Sequence, residues 1–261
     1  MRVAITGISG SLGRAILKRL ARDGADRIVG FSRVEQTRLQ LQREYDWHPG
    51  VKIYAADIRD KERLVDVFSG CEVVIHAAAR KVVSGHHDEP SEMHATNIIG
   101  TTNVIAAAAT AGIHKLLFIS SDKAVNAENV YGISKAMAER LVVSANARTW
   151  AKGLRCGVVR YGNVLGSNGS VVRVWREMAA RGEAIPVSDI RMTRFWLTID
   201  QAVDHVLRAL CDLRGGETFV PYLGAAPLTT LLVAAAPDSK TVEIGIRPGG
   251  EKLHESLLSE D

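Results

Sequence analysis

The sequence predicts an α/β fold, a doubly wound parallel sheet with a smaller C-terminal lobe, on three observations. Short apolar runs alternate with amphipathic stretches up to about residue 160, a glycine cluster follows the first run directly, and strand-like segments thin out after residue 162. Parallel neighbours need a crossover connection, so alternation of this kind implies helices on both faces of the sheet.

The runs "RVAIT" (2–6), "RIVGF" (27–31), "VKIYAA" (51–56), "EVVIHAA" (72–78), "KLLFIS" (115–120) and "RCGVVRY" (155–161) read as short buried strands. Segments 11–23, 60–69, 91–111 and 129–151 have helical length and periodicity. "AAAAT" at 106–110 is a helix interior, because alanine has the best helix propensity. From "GNVLGSNGS" onward come glycine-rich turns and helices near 170–181 and 200–213. The chain thus divides into a main domain, 1–161, and a lobe, 162–261, that covers the ligand edge of the sheet and sends some segments back to the main domain.

Composition bounds the partners. With 46% hydrophobic and 24% charged residues in 261, the chain can bury a sizeable core in one main unit. The net charge of +4 is spread without a basic stripe or interleaved aromatics, which excludes nucleic-acid binding and suits a small anionic ligand. Cys71, Cys156 and Cys211 lie far apart, so no zinc pairing or disulfide framework is indicated and a reducing cytoplasm is expected. "MRVAITGISGSLG" is neither a signal peptide nor a membrane span, and no later stretch is long enough to cross a bilayer.

Gly7, Gly10 and Gly13 in "TGISGSLG" sit between the first strand and the first helix. Glycine lets the backbone turn tightly and approach a diphosphate, and the helix N-terminus supplies amides and a positive dipole end. A lone glycine pattern is weak, but the flanking strand and helix make this a Rossmann-like dinucleotide loop, with Ser9, Ser11 and Leu12 filling it. After the second strand, where an acidic residue would hold the ribose hydroxyls of NAD, stand Ser32 and Arg33, which favours NADP. Arg33 reads equally as a solvated surface arginine. Asp57 and Ile58 are placed to border the adenine, and Ala77, Ala78 and Ala79 keep the cofactor crossing small.

Tyr131 and Lys135 lie four apart in "YGISK", on one helix face. A phenol is a poor base at neutral pH, but a neighbouring ammonium and a positive nicotinamide favour the phenolate, and the lysine can also hold the nicotinamide ribose. Asp122 and Lys123 stand side by side in "SSDKA". On a regular strand they would point to opposite faces, so both reach one ligand only if the strand ends there. The plainer reading is a neighbouring ion pair.

With these residues in view the chain resembles the extended short-chain dehydrogenase/reductase family, and within it the inverting UDP-N-acetylglucosamine 4,6-dehydratases. The resemblance runs through "TGISGSLG", "SR" (32–33), "HAAARK" (76–81), "SSDKA" (120–124), "YGISK", "RYGNVLGSNGSV" (160–171), "DIRMTRFWLT" (189–198) and "RPGGEKLHE" (247–255). It implies an Asp-Lys acid–base pair where configuration-retaining relatives have Asp-Glu. In the implied mechanism Tyr131 deprotonates the C4 hydroxyl as hydride passes to NADP, Lys123 removes the C5 proton, and Asp122 protonates the departing C6 hydroxyl. Hydride then returns to C6 and C5 is reprotonated on its other face. The resemblance further implies Lys81, Asn163, Arg194 and Arg247 around the diphosphate of a UDP-sugar, Glu251 on the uridine side, and a homo-oligomer.

Three features depart from the family pattern: "VVSGHHDEP" after Lys81, one additional glycine in "RPGGEKLHE", and an end soon after "LLSED" where relatives commonly extend. Adjacent histidines in "HHDE" (86–89), with His94, cannot easily aim at one ion, and His254 in "LHE" reads the same way, so no metal is expected. Two alternatives stand beside the dehydratase: an epimerase or reductase on the same scaffold, and a non-catalytic dinucleotide-binding module.

Overall fold

The computed structural model describes residues 1–81, 89–149, 152–167, 170–246 and 250–259. The first half runs β1 (Arg2–Thr6), α1 (Ser11–Arg22), β2 (Arg27–Phe31), α2 (Glu35–Glu44), β3 (Val51–Tyr54), α3 (Lys61–Phe68), β4 (Val73–His76). A helical run follows as α4 (Pro90–Met93), a π-helical turn (His94–Ile99) and α5 (Gly100–Thr110). Then come β5 (Lys115–Ile119), a 3₁₀ turn (Asp122–Ala124), α6 (Val130–Thr149) and β6 (Arg155–Val159). All six expected strands are present, ending up to two residues earlier than their apolar runs. α2 has no counterpart in the sequence reading because only Leu41 of its charged stretch is buried, which leaves no apolar stripe to recognise.

Beyond residue 162 the chain forms β7 (Asn163–Val164), α7 (Val171–Ala180), β8 (Ile185–Val187), β9 (Thr193–Leu197), α8 (Ile199–Asp212), β10 (Thr218–Phe219), β11 (Ala225–Pro227), α9 (Leu228–Ala235) and β12 (Thr241–Glu243). The main sheet has seven parallel strands in the order β10-β6-β5-β4-β1-β2-β3. β1 pairs with β2 on one side and β4 on the other, so the strand order reverses there; in open α/β sheets that reversal is where the ligand crevice lies. β11-β9-β7 and β12-β8 form two small separate sheets.

Two apolar layers sandwich the main sheet. One joins β1 and β4 side chains to Ile16, Leu17 and Leu20 of α1 and to Ala202, Val206 and Leu210 of α8; the other lies under α3, α5 and α6. α8 carries a complete capping box, Thr198 with Gln201, and Lys115 Nζ donates to the carbonyls of Leu210 and Cys211 at its other end, at 2.8 and 3.0 Å. Through α8 and β10 the distal part of the chain completes the main sheet layer. A third cluster, Trp175, Ile185, Val187, Leu232 and Ala236, holds α7, α9 and β8 together. Among the described residues no helix is long and apolar enough to cross a membrane.

Candidate active site

The crevice begins at Gly7, whose φ of +69° is a left-handed conformation that an L side chain strains to adopt. A Cβ there would lie 2.7 Å from both the Ala77 carbonyl carbon and the Ala78 nitrogen, so the loop after β1 approaches the loop after β4 as closely as backbone allows. Gly13 lies against the Gly7 carbonyl in the same way, and Gly10, the N-cap of α1, has no side chain with which to cap the helix. Ser9 and Gly10 are exposed, Ser11 and Leu12 half-buried. A cradle that any Cβ would fill, at the positive end of a helix, fits a dinucleotide diphosphate.

At the end of β2, Ser32 is buried and its Oγ accepts from the Val34 amide at 3.2 Å. Arg33 is exposed, with Nη1 3.4 Å from Asp57 Oδ2. Arg38, unmarked in the sequence because it lies on the unrecognised α2, braces this turn by donating to the carbonyls of Ser32 and Arg33, both at 3.0 Å. Partial burial pushes the Asp57 carboxyl up, but hydrogen bonds from the Arg59 side chain and amide outweigh it and hold the pKa below the usual range. Ile58, next in the chain, is buried with its side chain against Gly100 of α5 and belongs to the apolar layer under α3, α5 and α6.

A directed hydrogen-bond chain ties this edge to α6. The Ala78 amide donates to Thr6 Oγ1 at 2.9 Å, and Thr6 Oγ1 lies 2.7 Å from His76 Nδ1. His76 Nε2 is 3.0 Å from Thr101 Oγ1, which donates to the Asn97 carbonyl at 2.6 Å. Because the Thr101 hydroxyl proton is committed, His76 must donate from Nε2 and accept at Nδ1, the neutral tautomer. Burial, then the charge of Lys135, lowers its pKa to about 3, which agrees. Asn97, on the π-helical turn, exchanges two hydrogen bonds with the Arg80 backbone (2.7 and 3.1 Å) and donates to Ser134 Oγ at 2.9 Å. Nothing in "HATNIIGT" sets it apart from the other polar residues there; π turns recur at functional sites.

Tyr131 and Lys135 are both buried on the inner face of α6, while Ile133 and Met137 face out. Lys135 Nζ donates to the Ile119 carbonyl at 2.5 Å and stands 3.9 Å over the Phe118 ring, and burial lowers its pKa to about 7 despite Glu139. The Tyr131 phenol is shifted up, first by burial and then by the Asp122 carboxylate, with a hydrogen bond to Ser121 acting the other way. Desolvation therefore dominates the phenol, and the Lys135 amine beside it is turned to the Ile119 carbonyl.

β5 ends at Ile119, and the 3₁₀ turn folds Asp122 and Lys123 back so that their heads meet, Nζ 3.1 Å from Oδ1. The Asp122 amide donates to the Tyr161 carbonyl at 2.9 Å, and Ser121 Oγ donates to Asp122 Oδ1 at 2.7 Å. Asp122 is fully buried, yet Oδ2 has no hydrogen-bond partner among the described residues. Lys123 also faces Glu255, which the sequence reading left without a role: Oε1 lies 3.6 Å from Lys123 Nζ and Oε2 3.4 Å from Lys252 Nζ.

The residues expected around a substrate divide. Among the described residues, Asn163 Oδ1 and Glu251 Oε2 are buried without hydrogen-bond partners, as polar atoms facing a ligand would be. Lys81 is exposed, and desolvation of its ammonium, then the Lys123 charge, lowers its pKa. Arg194 is buried and committed to backbone: its guanidinium donates to the carbonyls of Thr193, Leu253 and Lys252 at 2.7, 3.1 and 3.0 Å. In this structure it braces the C-terminal segment, which no spacing in the sequence suggested. Arg247 and residues 82–88, with His86 and His87, lie outside the described residues. His94 is exposed, and His254 Nδ1 is 2.8 Å from Thr193 Oγ1.

The family described as polysaccharide biosynthesis protein matches residues 3–261. This chain belongs to it. An inverting UDP-N-acetylglucosamine 4,6-dehydratase from Campylobacter jejuni is 39% identical over 99% of this chain and 78% of its own length. A UDP-glucose 4-epimerase from Rickettsia conorii is 35% identical over 98% of this chain and 77% of its own. The X-ray structure of Pen from Bacillus thuringiensis superposes with a TM-score of 0.90 at 33% identity, covering 98% of this chain and 82% of that one.

Proposed function

We propose that the protein is an NADP-dependent nucleotide-sugar dehydratase that converts UDP-N-acetylglucosamine to UDP-2-acetamido-2,6-dideoxy-4-hexulose with inversion at C5. The observation that carries this reading is the Asp122–Lys123 pair. Its two heads meet on one side of a 3₁₀ turn, the carboxylate buried with one oxygen unpartnered. Eliminating water across C5 and C6 needs a base and an acid at neighbouring carbons, and adjacent residues folded back on one another supply both.

The glycine cradle would hold the diphosphate of the cofactor, and Ser32 and Arg33 its 2′-phosphate. When bound, the nicotinamide supplies hydride acceptance from C4 and hydride return to C6. Tyr131 takes the C4 hydroxyl proton, and Lys135 turns from Ile119 to hold the ribose. The Lys123 amine removes the C5 proton and becomes ammonium. Asp122, as carboxylic acid, protonates the departing C6 hydroxyl, which leaves as water, and becomes carboxylate. A proton delivered to the opposite face of C5 completes the inversion. The reactive tautomer, neutral amine with carboxylic acid, is one proton transfer across 3.1 Å from the ion pair of the unliganded protein. Asn163, Lys81, Arg247 and Glu251 are assigned to the nucleotide sugar, and Arg194 to the same wall through the segment it braces.

A 4-epimerase is the second reading, favoured by the Rickettsia relative and by Tyr131 and Lys135, which suffice for C4 oxidation. Incubation with UDP-N-acetylglucosamine in deuterated water, followed by NMR, separates the two. A 4-keto-6-deoxy product with deuterium at an inverted C5 supports dehydration; a retained C6 hydroxyl with changed C4 stereochemistry supports epimerisation and ends the first proposal.

A further inference from the structure

We propose that Glu255 is a positioning residue for Lys123: its carboxylate, opposite that of Asp122 in contact with the same amine, fixes where the lysine head sits. This rests on the reading of Asp122 and Lys123 as the acid–base pair.

The Glu255 carboxylate is 4% exposed, and burying a carboxylate is costly unless cations meet it. Two do, Lys123 at Oε1 (3.6 Å) and Lys252 at Oε2 (3.4 Å). The Lys252 ammonium is shared between Glu255 Oε2 and the Val125 carbonyl, to which it donates at 2.5 Å, and Oε2 has no hydrogen bond among the described residues. The other carboxylate oxygen faces Lys123, a long side chain whose remaining carboxylate partner among the described residues is Asp122.

The segment is held to deliver this carboxylate. Arg194 donates to the consecutive carbonyls of Lys252 and Leu253. Asn129 Nδ2 donates to the Gly250 carbonyl at 3.1 Å, and Arg160, paired with Glu139, donates to the Leu257 carbonyl at 2.8 Å. Asn129 stands just before the Tyr131 helix, and Lys252 grips the residue that follows the Asp122 turn, so the segment is registered directly against the reacting groups.

Four charges therefore form one row: Asp122, Lys123, Glu255 and Lys252, with Lys81 facing Lys123 from the loop after β4. His254 is turned aside to Thr193.

The test uses the full chain with 13C-labelled lysine ε-carbons, the Lys123 signal being assigned by its loss in Lys123→Met. In Glu255→Gln the Lys123 titration midpoint moves to lower pH by about one unit, and the Lys123-dependent limb of kcat against pH moves with it. kcat falls about tenfold or more with KM little changed. Glu255→Asp keeps the charge and withdraws it, so kcat falls while the midpoint stays near its original pH. Should the Gln variant fail to fold, Lys252→Met reads the same coupling with opposite sign, raising the midpoint. An unmoved midpoint in the folded Gln variant, or in Lys252→Met where that variant replaces it, overturns the proposal. The NMR titration needs no turnover, so it separates failure of this inference from failure of the dehydratase reading.

Discussion

Lys123 Nζ lies 3.1 Å from the carboxylate of its own chain neighbour, Asp122, a contact made possible because β5 gives way to a 3₁₀ turn at that residue. On a continuing strand the two side chains would diverge across the sheet. The turn is held by the Asp122 amide on the Tyr161 carbonyl and by Ser121, whose Oγ accepts from the Lys123 amide at 3.3 Å. One local break in strand geometry thus puts an amine and a carboxyl group on the same side of the crevice.

Lys123→Met keeps the length of the side chain and removes the amine. Net dehydration is expected to fall by a factor of about 10² to 10⁴, the usual contribution of a positioned base. Oxidation at C4 depends on Tyr131 and survives, so reduced nicotinamide accumulates on the enzyme when UDP-N-acetylglucosamine is added. Spectrophotometry reads this directly, and undiminished product formation would remove Lys123 from the chemistry.

Arg33 presents an exposed guanidinium beside Asp57, with the buried Ser32 next to it. A charge-assisted contact to a 2′-phosphate is worth about 1.5–3 kcal/mol, or roughly ten- to a hundredfold in affinity. Arg33→Ala should therefore weaken NADP by that factor and leave NAD nearly unaffected, as calorimetric titration with each dinucleotide would reveal. Equal losses for both cofactors would return Arg33 to the role of a solvated surface residue.

Gly7 and Gly10 separate conformational need from room for a ligand. Gly7→Ala forces a Cβ into the Ala77–Ala78 backbone at a positive φ, so the fold itself loses stability, by about 1–3 kcal/mol from the backbone conformation alone. A Cβ on Gly10 would find its nearest neighbour at the Gly7 carbonyl, 3.3 Å away, with no positive φ. Gly10→Ala is expected to melt near the parent temperature but bind NADP at least about tenfold more weakly. Tight binding by Gly10→Ala would mean that the diphosphate does not sit in this cradle.

The sequence reading succeeded where structure is local. Strands β1 to β6, the glycine loop and the Tyr131–Lys135 spacing all follow from periodicity or from neighbours within one turn. It failed where a residue acts through distant partners. Glu255 meets Lys123 only because Arg194, Asn129 and Arg160 hold the C-terminal segment against the turn after β5. The carbonyls that Arg194 holds were likewise illegible, because an arginine in a motif carries no sign of which backbone segments pack against it. The direction of the Tyr131 shift was also illegible, since spacing reports the proximity of a lysine along a helix and says nothing of how thoroughly both groups are desolvated.

Arg194→Met tests that bracing role. If the guanidinium holds residues 252 and 253, its loss frees the carbonyls of the C-terminal segment and disturbs Glu255 and Lys252 together. Limited proteolysis should then cut within residues 250–259 faster than in the parent, and kcat should fall even at saturating UDP-N-acetylglucosamine. A variant with parental cleavage and only a raised KM would instead point to direct contact with the diphosphate.

Lys135 supplies a prediction about stability and pH. Its pKa in the folded chain is about 7, against an ordinary value of 10.5, because burial disfavours the ammonium. Between those values the unfolded chain binds more protons than the folded one, and stability rises with pH wherever that is so. Lys135 therefore makes the cofactor-free protein progressively more stable as pH climbs from about 7 toward about 10, and that contribution is lost as pH falls back through the same window. Urea unfolding midpoints at about pH 7 and about pH 9 should show the rise in the parent and a flatter response in Lys135→Met, where nothing titrates at this position. The variant would also relieve the charge that, after burial, helps to depress His76, so its acid unfolding should begin at lower pH than the parent's. Parallel pH responses in the two proteins would show that the Lys135 ammonium is solvated, and with it that the pocket beneath Tyr131 is wet.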